Sequence, residues 1–333
     1  MTSSRQQSGT HSAEAYQTIG GGDSPRIVHL TLKRPVDVPL ATTSKKPYTF
    51  GILNALPFVK MHGTGNDFVL IGPEHSGMAL DWPGLARATG DRHFGIGHDG
   101  LLLVERDDAA DFRMRMLNPD GSESEMCGNG IRCFSKYVFD NGLARASELT
   151  IRTGAGIQKV RVLVDGGQAA AVEVDMGVPI FEAARIPVIS DCAVVVNQPI
   201  AIDGWQFAIS CASMGNPHAV AFVENVDRVP LELLGPKVEH HGWFPRRVNF
   251  EVATVKARDE VVMRVWERGA GITLACGSGA CAVMAVAHRR GLVGDQARIR
   301  LPGGDLQLQW DGRHEMRMTG PASFVFRGEW PLS

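Results

Sequence analysis

Neither sign of charge dominates this chain of 333 residues: 34 Lys and Arg stand against 36 Asp and Glu, a net charge of −2. That balance gives no electrostatic case for nucleic acid or an anionic membrane surface. Long apolar runs are missing too, and stretches such as Ala193 to Val196 fall far short of a membrane span. Cysteine is sparse, six in all, too few for a disulfide scaffold, and no charged-then-apolar secretory segment opens the chain. A reducing cytoplasm is therefore the expected setting. Metal-ligand spacing is also lacking: Cys127 and Cys133 are six apart and Cys276 and Cys281 five apart, which on a helix puts the partners on different faces, so no metal is expected. What remains, 44% hydrophobic and 21% charged, is the composition of a globular protein with material for two buried cores.

The chain is organised around two short stretches, Cys127-Gly-Asn-Gly and Cys276-Gly-Ser-Gly. In each, a cysteine opens a Gly-rich bend, a helical pattern follows, and the helix stops at Gly-Leu 15 positions after the cysteine. The cysteines are 149 residues apart, and the offset recurs: Met114-Arg115-Met116 maps onto Met263-Arg264-Val265 and Gly154 onto Gly303, while Gly65-Asn66 maps onto Gly215-Asn216 at 150. Matches in one register predict two similar lobes. If the lobes face each other across a pseudo-twofold axis, the two cysteines point at one cleft from opposite sides, as inversion of a carbon centre requires.

Residues 1 to 56 match nothing in the repeat and read as a disordered extension; Glu14, Asp23 and Asp37 count against a transit peptide. The core begins near Pro57 with a strand, a Gly-rich turn holding Asn66 and Asp67, and a second strand. Asn66 and its counterpart Asn216 suit either an Asx turn or a ligand contact. A literal G-x-G-x-x-G at Gly95, Gly97 and Gly100 leads into the short apolar run Leu101-Leu-Leu-Val rather than a helix, so it is not a dinucleotide fingerprint. Asn118 and Glu267 stand in matching loops, each nine residues before its cysteine, and Asn249 falls at a strand entry. Strands with Gly punctuation follow both helices, so each lobe is strand-rich with few helices and the class is α+β.

No Ser, Thr or Asp precedes either helix to cap it, so its backbone N–H groups are expected to be free for a ligand. Glycines at 128, 130, 277 and 279 let a ligand approach that backbone closely, and two helix ends meeting at one cleft suit a carboxylate. The same dipoles are expected to favour a thiolate. Cys133, Cys192, Cys211 and Cys281 read as ordinary cysteines, whereas the shared bend singles out Cys127 and Cys276.

Residues 57 to 333 closely resemble the diaminopimelate epimerase family, racemases that act without pyridoxal phosphate. The resemblance is carried by Met61-His-Gly-Thr-Gly-Asn-Asp-Phe, Asn118-Pro-Asp-Gly-Ser, Cys127-Gly-Asn-Gly-Ile-Arg-Cys, Met214-Gly-Asn-Pro-His, and Glu267-Arg-Gly-Ala-Gly ahead of Ala275-Cys276-Gly-Ser-Gly-Ala-Cys. It implies two pseudo-symmetric lobes, each a mixed, mostly antiparallel sheet wrapped round a central helix: residues 57–176 with 322–333 carrying Cys127, and 177–321 carrying Cys276. It implies conversion of LL- to meso-diaminopimelate in lysine and peptidoglycan precursor synthesis, without cofactor, in a homodimer. Cys127 and Cys276 would be the acid/base pair, supported by His218 and Glu267. The substrate α-carboxylate would sit on Gly128, Asn129, Gly277 and Ser278, and Asn66, Asn118, Asn216, Asn249 and Arg268 would hold the distal groups. Two departures are Ile272, where many members carry Glu, and Gly100, where some carry Gln. A proline or hydroxyproline racemase would carry Cys-Gly-His-Gly where Asn129 stands, and Arg268 suits only a substrate with a second anionic end. A different isomerase on this fold would lack the paired cysteines. A non-catalytic amino-acid binding protein would bind tightly without exchanging the α-proton.

Overall fold

A computed structural model of the chain describes residues 54–332; the extension expected for residues 1–53 lies outside the described residues. The first strand begins at Ala55, so Ala55 and Leu56 belong to the core rather than to the extension that was expected to run to residue 56. The first lobe runs β1 (Ala55–Gly63), β2 (Asn66–Ile71), α1 (Trp82–Gly90), β3 (Gly100–Glu105), β4 (Phe112–Leu117), β5 (Glu123–Ser124), α2 (Gly128–Asp140), β6 (Glu148–Thr153), β7 (Gly156–Asp165) and β8 (Gln168–Asp175). The second runs β9 (Gln198–Ile202), β10 (Trp205–Ser213), β11 (Pro217–Phe222), α3 (Leu231–Glu239), β12 (Asn249–Ala257), β13 (Glu260–Glu267), β14 (Gly271–Thr273), α4 (Gly277–Arg289), β15 (Gln296–Leu301), β16 (Gly304–Gln309) and β17 (Arg317–Gly320), before β18 (Ser323–Pro331) returns to pair with β1.

Both lobes repeat one pairing scheme. In the first, β2 lies parallel to β3 and β4 parallel to β6, with the other neighbours antiparallel; in the second, β11 lies parallel to β12 and β13 parallel to β15. The ladders join where β8 meets β17 antiparallel. Helices α2 and α4 are each 13 residues long and stand 149 positions apart, as the cysteine register predicts. Each closes with the same motif: Gly142 (φ +70°) and Gly291 (φ +69°) take the left-handed turn, and the amides of Leu143 and Leu292 reach back to the carbonyls of Val138 and Ala287 at 2.9 Å.

The alternation of the strands sorts the core into layers. Along β3, Leu101 and Leu103 pack outward against α1, whereas Leu102 and Val104 pack inward with α2. Along β12, Phe250 and Val252 pack outward with Leu234 and Val238 of α3, and Ala253 packs inward with α4. This parity puts Glu251 on the inner face, where its counterpart 149 residues earlier is Leu102. On β2 and β11 the same reasoning puts Phe68 and His218 inward. The two central helices share the inner core, and α4 buries ten of its 13 residues.

Candidate active site

The first turns of α2 and α4 meet head to head: a Cβ built on Gly128 would lie 3.9 Å from Gly277 Cα, and one on Gly277 3.8 Å from Gly128 Cα. Glycine at these positions lets two helix starts share one cleft. The cleft encloses about 1360 Å³ and is lined from the first lobe by Asn66, Asn118, Cys127, Gly128 and Asn129, and from the second by Asn216, Glu267, Arg268, Cys276, Gly277 and Ser278. His218 and Asn249 do not line it and stand behind its wall.

The cysteines themselves cap the helices, which the sequence did not reveal. Cys127 Sγ accepts from the Gly130 amide and Cys276 Sγ from the Gly279 amide, both at 3.4 Å. Among the described residues, the amides of Gly128, Gly277 and Ser278 donate to no protein group, so they are open to an anion at the double helix terminus. The helix-start amides do pull toward the thiolate, as expected, but burial works against them. Burial pushes Cys127 above the ordinary thiol range, against the pull of the Gly130 and Asn129 amides, and pushes Cys276 well above it, with Glu267 and Glu251 adding to the rise.

Around each sulfur lies a polar pair in matching positions, two amides beside Cys127 and an amide with a hydroxyl beside Cys276. Asn66 Oδ1 accepts from Asn129 Nδ2 at 3.1 Å and faces Cys127 Sγ at 3.8 Å, while Asn66 Nδ2 donates to Asp99 at 2.6 Å. In the other lobe, Asn216 Nδ2 donates to Ser278 Oγ at 3.2 Å, and that hydroxyl stands 3.5 Å from Cys276 Sγ. Asn129 also donates across the cleft to the carbonyl of Ala275 at 3.1 Å, tying one helix start to the residue before the opposite cysteine.

Glu267 is a buried carboxyl held by the Thr273 hydroxyl, and burial raises its pKa. It interacts with both Cys127 and Cys276. Asn118 donates to Ser122 Oγ at 3.0 Å. Asn249 spends both polar groups on the backbone, donating to the Pro217 carbonyl and accepting from the Arg268 amide, each at 2.9 Å. It thereby fixes the loop that carries Arg268. The Arg268 guanidinium touches the Arg246 carbonyl at 3.2 Å and has no ion pair among the described residues, so its charge faces the cleft uncompensated. Ile272 and Gly100 differ in place: Ile272 lines the cleft, whereas Gly100 opens β3.

Three features escaped the sequence reading. Glu251, fully buried, holds His218 Nδ1 at 2.7 Å, and His218 Nε2 faces Asn216 Oδ1 at 2.9 Å. Arg132 is fully buried beneath the start of α2, donating to the Gly128 carbonyl at 3.0 Å and to Thr64 Oγ1 at 3.1 Å. At the cleft rim Asp67 is bound by Lys60 and Arg92; burial raises its pKa, but those hydrogen bonds outweigh it and hold the group at about 2.

A family model described as diaminopimelate epimerase matches residues 58–182 and 210–325. A relative named diaminopimelate epimerase from Moorella thermoacetica is 51% identical over 276 residues, covering 83% of this chain and 99% of the relative. Another of that name, from Methanococcus maripaludis strain S2/LL, is 47% identical over 277 residues, covering 82% and 99%. Among solved structures, a phenazine biosynthesis protein of the PhzF family from Bacillus anthracis superposes with TM-score 0.64 at 16% identity, covering 84% of this chain and 100% of that one. A hydroxyproline epimerase from Agrobacterium vitis does so with TM-score 0.60 at 18% identity, covering 84% and 93%. These two likenesses speak to the fold alone.

Proposed function

The chain belongs to the diaminopimelate epimerase family, and from that premise we propose that it converts LL-2,6-diaminopimelate to meso-diaminopimelate with Cys127 and Cys276 as the two proton-transfer groups. The observation that carries the reading is the pair of cysteine-capped helix starts meeting at one cleft. An α-proton leaving an amino acid builds negative charge on the carboxylate, and the free amides of Gly128, Gly277 and Ser278 are aimed where that charge grows. A thiolate on one face takes the proton and a thiol on the other supplies one.

The distal end of the substrate carries an ammonium and a second carboxylate. Asn66, Asn118 and Asn216 offer amide oxygens to the first, and Arg268, fixed by Asn249, offers a guanidinium to the second. Asn129 joins the amide pair beside Cys127, while Glu267 and His218 act on the thiols from the side. The lobes are taken as 57–176 with 322–333 and 177–321, a division that the β1–β18 pairing and the β8–β17 joint support. A homodimer is part of the reading: among the described residues β18 pairs with β1 alone, and its Phe324, Val325 and Phe326 are all exposed, an apolar surface suited to a second copy. The six cysteines are all free, which suits a reducing cytoplasm and a role in lysine and peptidoglycan precursor synthesis.

Incubation with LL-diaminopimelate in heavy water is the test. The expected result is meso product with deuterium at the inverted carbon. Tight binding with no α-proton exchange would leave a binding protein instead, and comparable turnover of proline would refute the substrate assignment.

A further inference from the structure

The two lobes repeat in backbone and differ in charge at the positions that stand behind the cysteines. A Cβ on Gly130 would meet Leu102 Cδ2 and Phe68 Cε1, each at 3.5 Å. A Cβ on the equivalent Gly279 would meet Glu251 Oε1 at 2.8 Å and Cys276 Sγ at 3.3 Å. That shared neighbour puts the carboxylate within about 6 Å of the sulfur. Where the second lobe has His218 and Glu251, the first has Phe68 and Leu102. The cation is distributed the other way: Arg132 is a buried residue of α2, and its counterpart in α4 is the uncharged Cys281.

From this asymmetry we propose that Glu251 and Arg132 are positioning residues that set the two cysteines apart before substrate arrives, making Cys127 the more readily ionised and Cys276 the more firmly protonated of the pair. The assignment deepens the epimerase reading and rests on it for the roles of the two sulfurs. Every charged group facing Cys276 from the packed strands is acidic or paired with an acid: Glu267 on β13, Glu251 on β12, and His218 on β11 hydrogen-bonded to Glu251. Among the described residues Glu251 Oε2 has no hydrogen-bond partner, and His218 engages the carboxyl through the other oxygen. Cys127 faces Glu267 across the cleft and Arg132 from its own helix. Burial raises both thiols and Glu267 adds to the rise at each; Glu251 adds to it at Cys276 alone, while the smaller pull of Arg132 opposes it at Cys127 alone.

In turnover, the Cys127 thiolate takes the α-proton, breaking C–H and forming S–H, and the carbanion then takes the Cys276 thiol proton on the opposite face. The proton ends on Cys127, and its exchange with solvent and return to Cys276 restores the resting form. The isomer whose α-hydrogen faces α2 is thus the one that the resting enzyme is poised to accept.

The test is peptide-resolved alkylation of the full, substrate-free chain with iodoacetamide across the pH range, which reads a midpoint for each cysteine. The wild-type Cys127 midpoint is expected about one pH unit or more below that of Cys276. Glu251→Gln is expected to bring the Cys276 midpoint down by about one unit and leave Cys127 in place, while Glu251→Asp, which keeps the charge, holds it up. A Cys276 midpoint at or below that of Cys127 in the wild type would overturn the proposal, and that ordering decides even if the variants do not fold. An unchanged Cys276 midpoint in a folded Glu251→Gln would overturn it too. So would a raised one, which would show His218 feeding hydrogen bonds to the sulfur through Asn216 and Ser278. Alkylation needs no substrate, so these outcomes are independent of the heavy-water assay. Ordered midpoints without exchange would refute the epimerase reading while leaving the proton's placement intact.

Discussion

Gly130 and Gly279 hold the same place in two copies of one motif, and replacing each by alanine separates what the backbone requires from what the site requires. Both lie in the first turn of a helix, where alanine is favoured over glycine by about 0.5–1 kcal/mol. At 130 the new methyl would find ordinary contacts, the nearest being Cys127 Cβ at 3.4 Å, so Gly130→Ala is expected to be neutral or slightly stabilising. At 279 the methyl would lie 2.8 Å from Glu251 Oε1 and 3.3 Å from both Cβ and Sγ of Cys276, so a buried carboxylate or the cysteine must move. Overpacking of this kind costs about 1–3 kcal/mol, which exceeds the helix gain. Gly279→Ala is thus expected to be destabilised by about 1–2 kcal/mol in urea titration, with kcat lowered about 100-fold because the sulfur is displaced. Equal stability and activity in the two variants would refute the claim that Glu251 packs against the cysteine turn.

Arg268→Lys keeps the charge and loses the forked donor pair, so kcat/KM for diaminopimelate should fall about 10-fold or more; near wild-type kinetics would remove Arg268 from substrate recognition. His98 is 1% exposed, its Nε2 paired with Thr89 Oγ1 and its Nδ1 unpartnered among the described residues, and burial first, then Lys60, holds its pKa at about 4. Because this value is lowered from 6.5, the unfolded chain binds more protons between the two, and stability falls as the pH drops from 6.5 to about 4, by about 3 kcal/mol in all. Urea midpoints measured over that window should fall more steeply in the wild type than in His98→Gln; parallel curves would show that His98 does not titrate with folding.

The repeat was legible because it is written in residues that backbone geometry demands. Gly142 and Gly291 mark helix ends with positive φ, and the cysteine register placed α2 and α4 at their observed starts. Strand class was readable from alternation, and β3 followed the discarded glycine motif as the run Leu101 to Val104 indicated. Charge environment was not readable. Glu251 left one trace, a lone carboxylate between Phe250 and Val252 where the first lobe has Leu102, but only the packed α4 shows what it faces. Arg132 resembles any helix-surface arginine in sequence and is buried because the Gly320-Pro321 turn after β17 and the Thr64 turn close over it. Helix dipoles can be inferred from a glycine bend, whereas the desolvation that outweighs them at Cys127 and Cys276 is a property of the closed core.

The most direct measurement of the two-cysteine account is the rate of epimerisation of LL-diaminopimelate by Cys127→Ala and by Cys276→Ala, each beside Cys133→Ala and Cys281→Ala as controls. Each member of the cleft pair is predicted to lose on the order of 10³-fold or more in turnover, since each variant lacks one proton-transfer partner. The two controls, buried away from the cleft lining, should retain most of theirs. Near-normal epimerisation by either Cys127→Ala or Cys276→Ala would contradict the account.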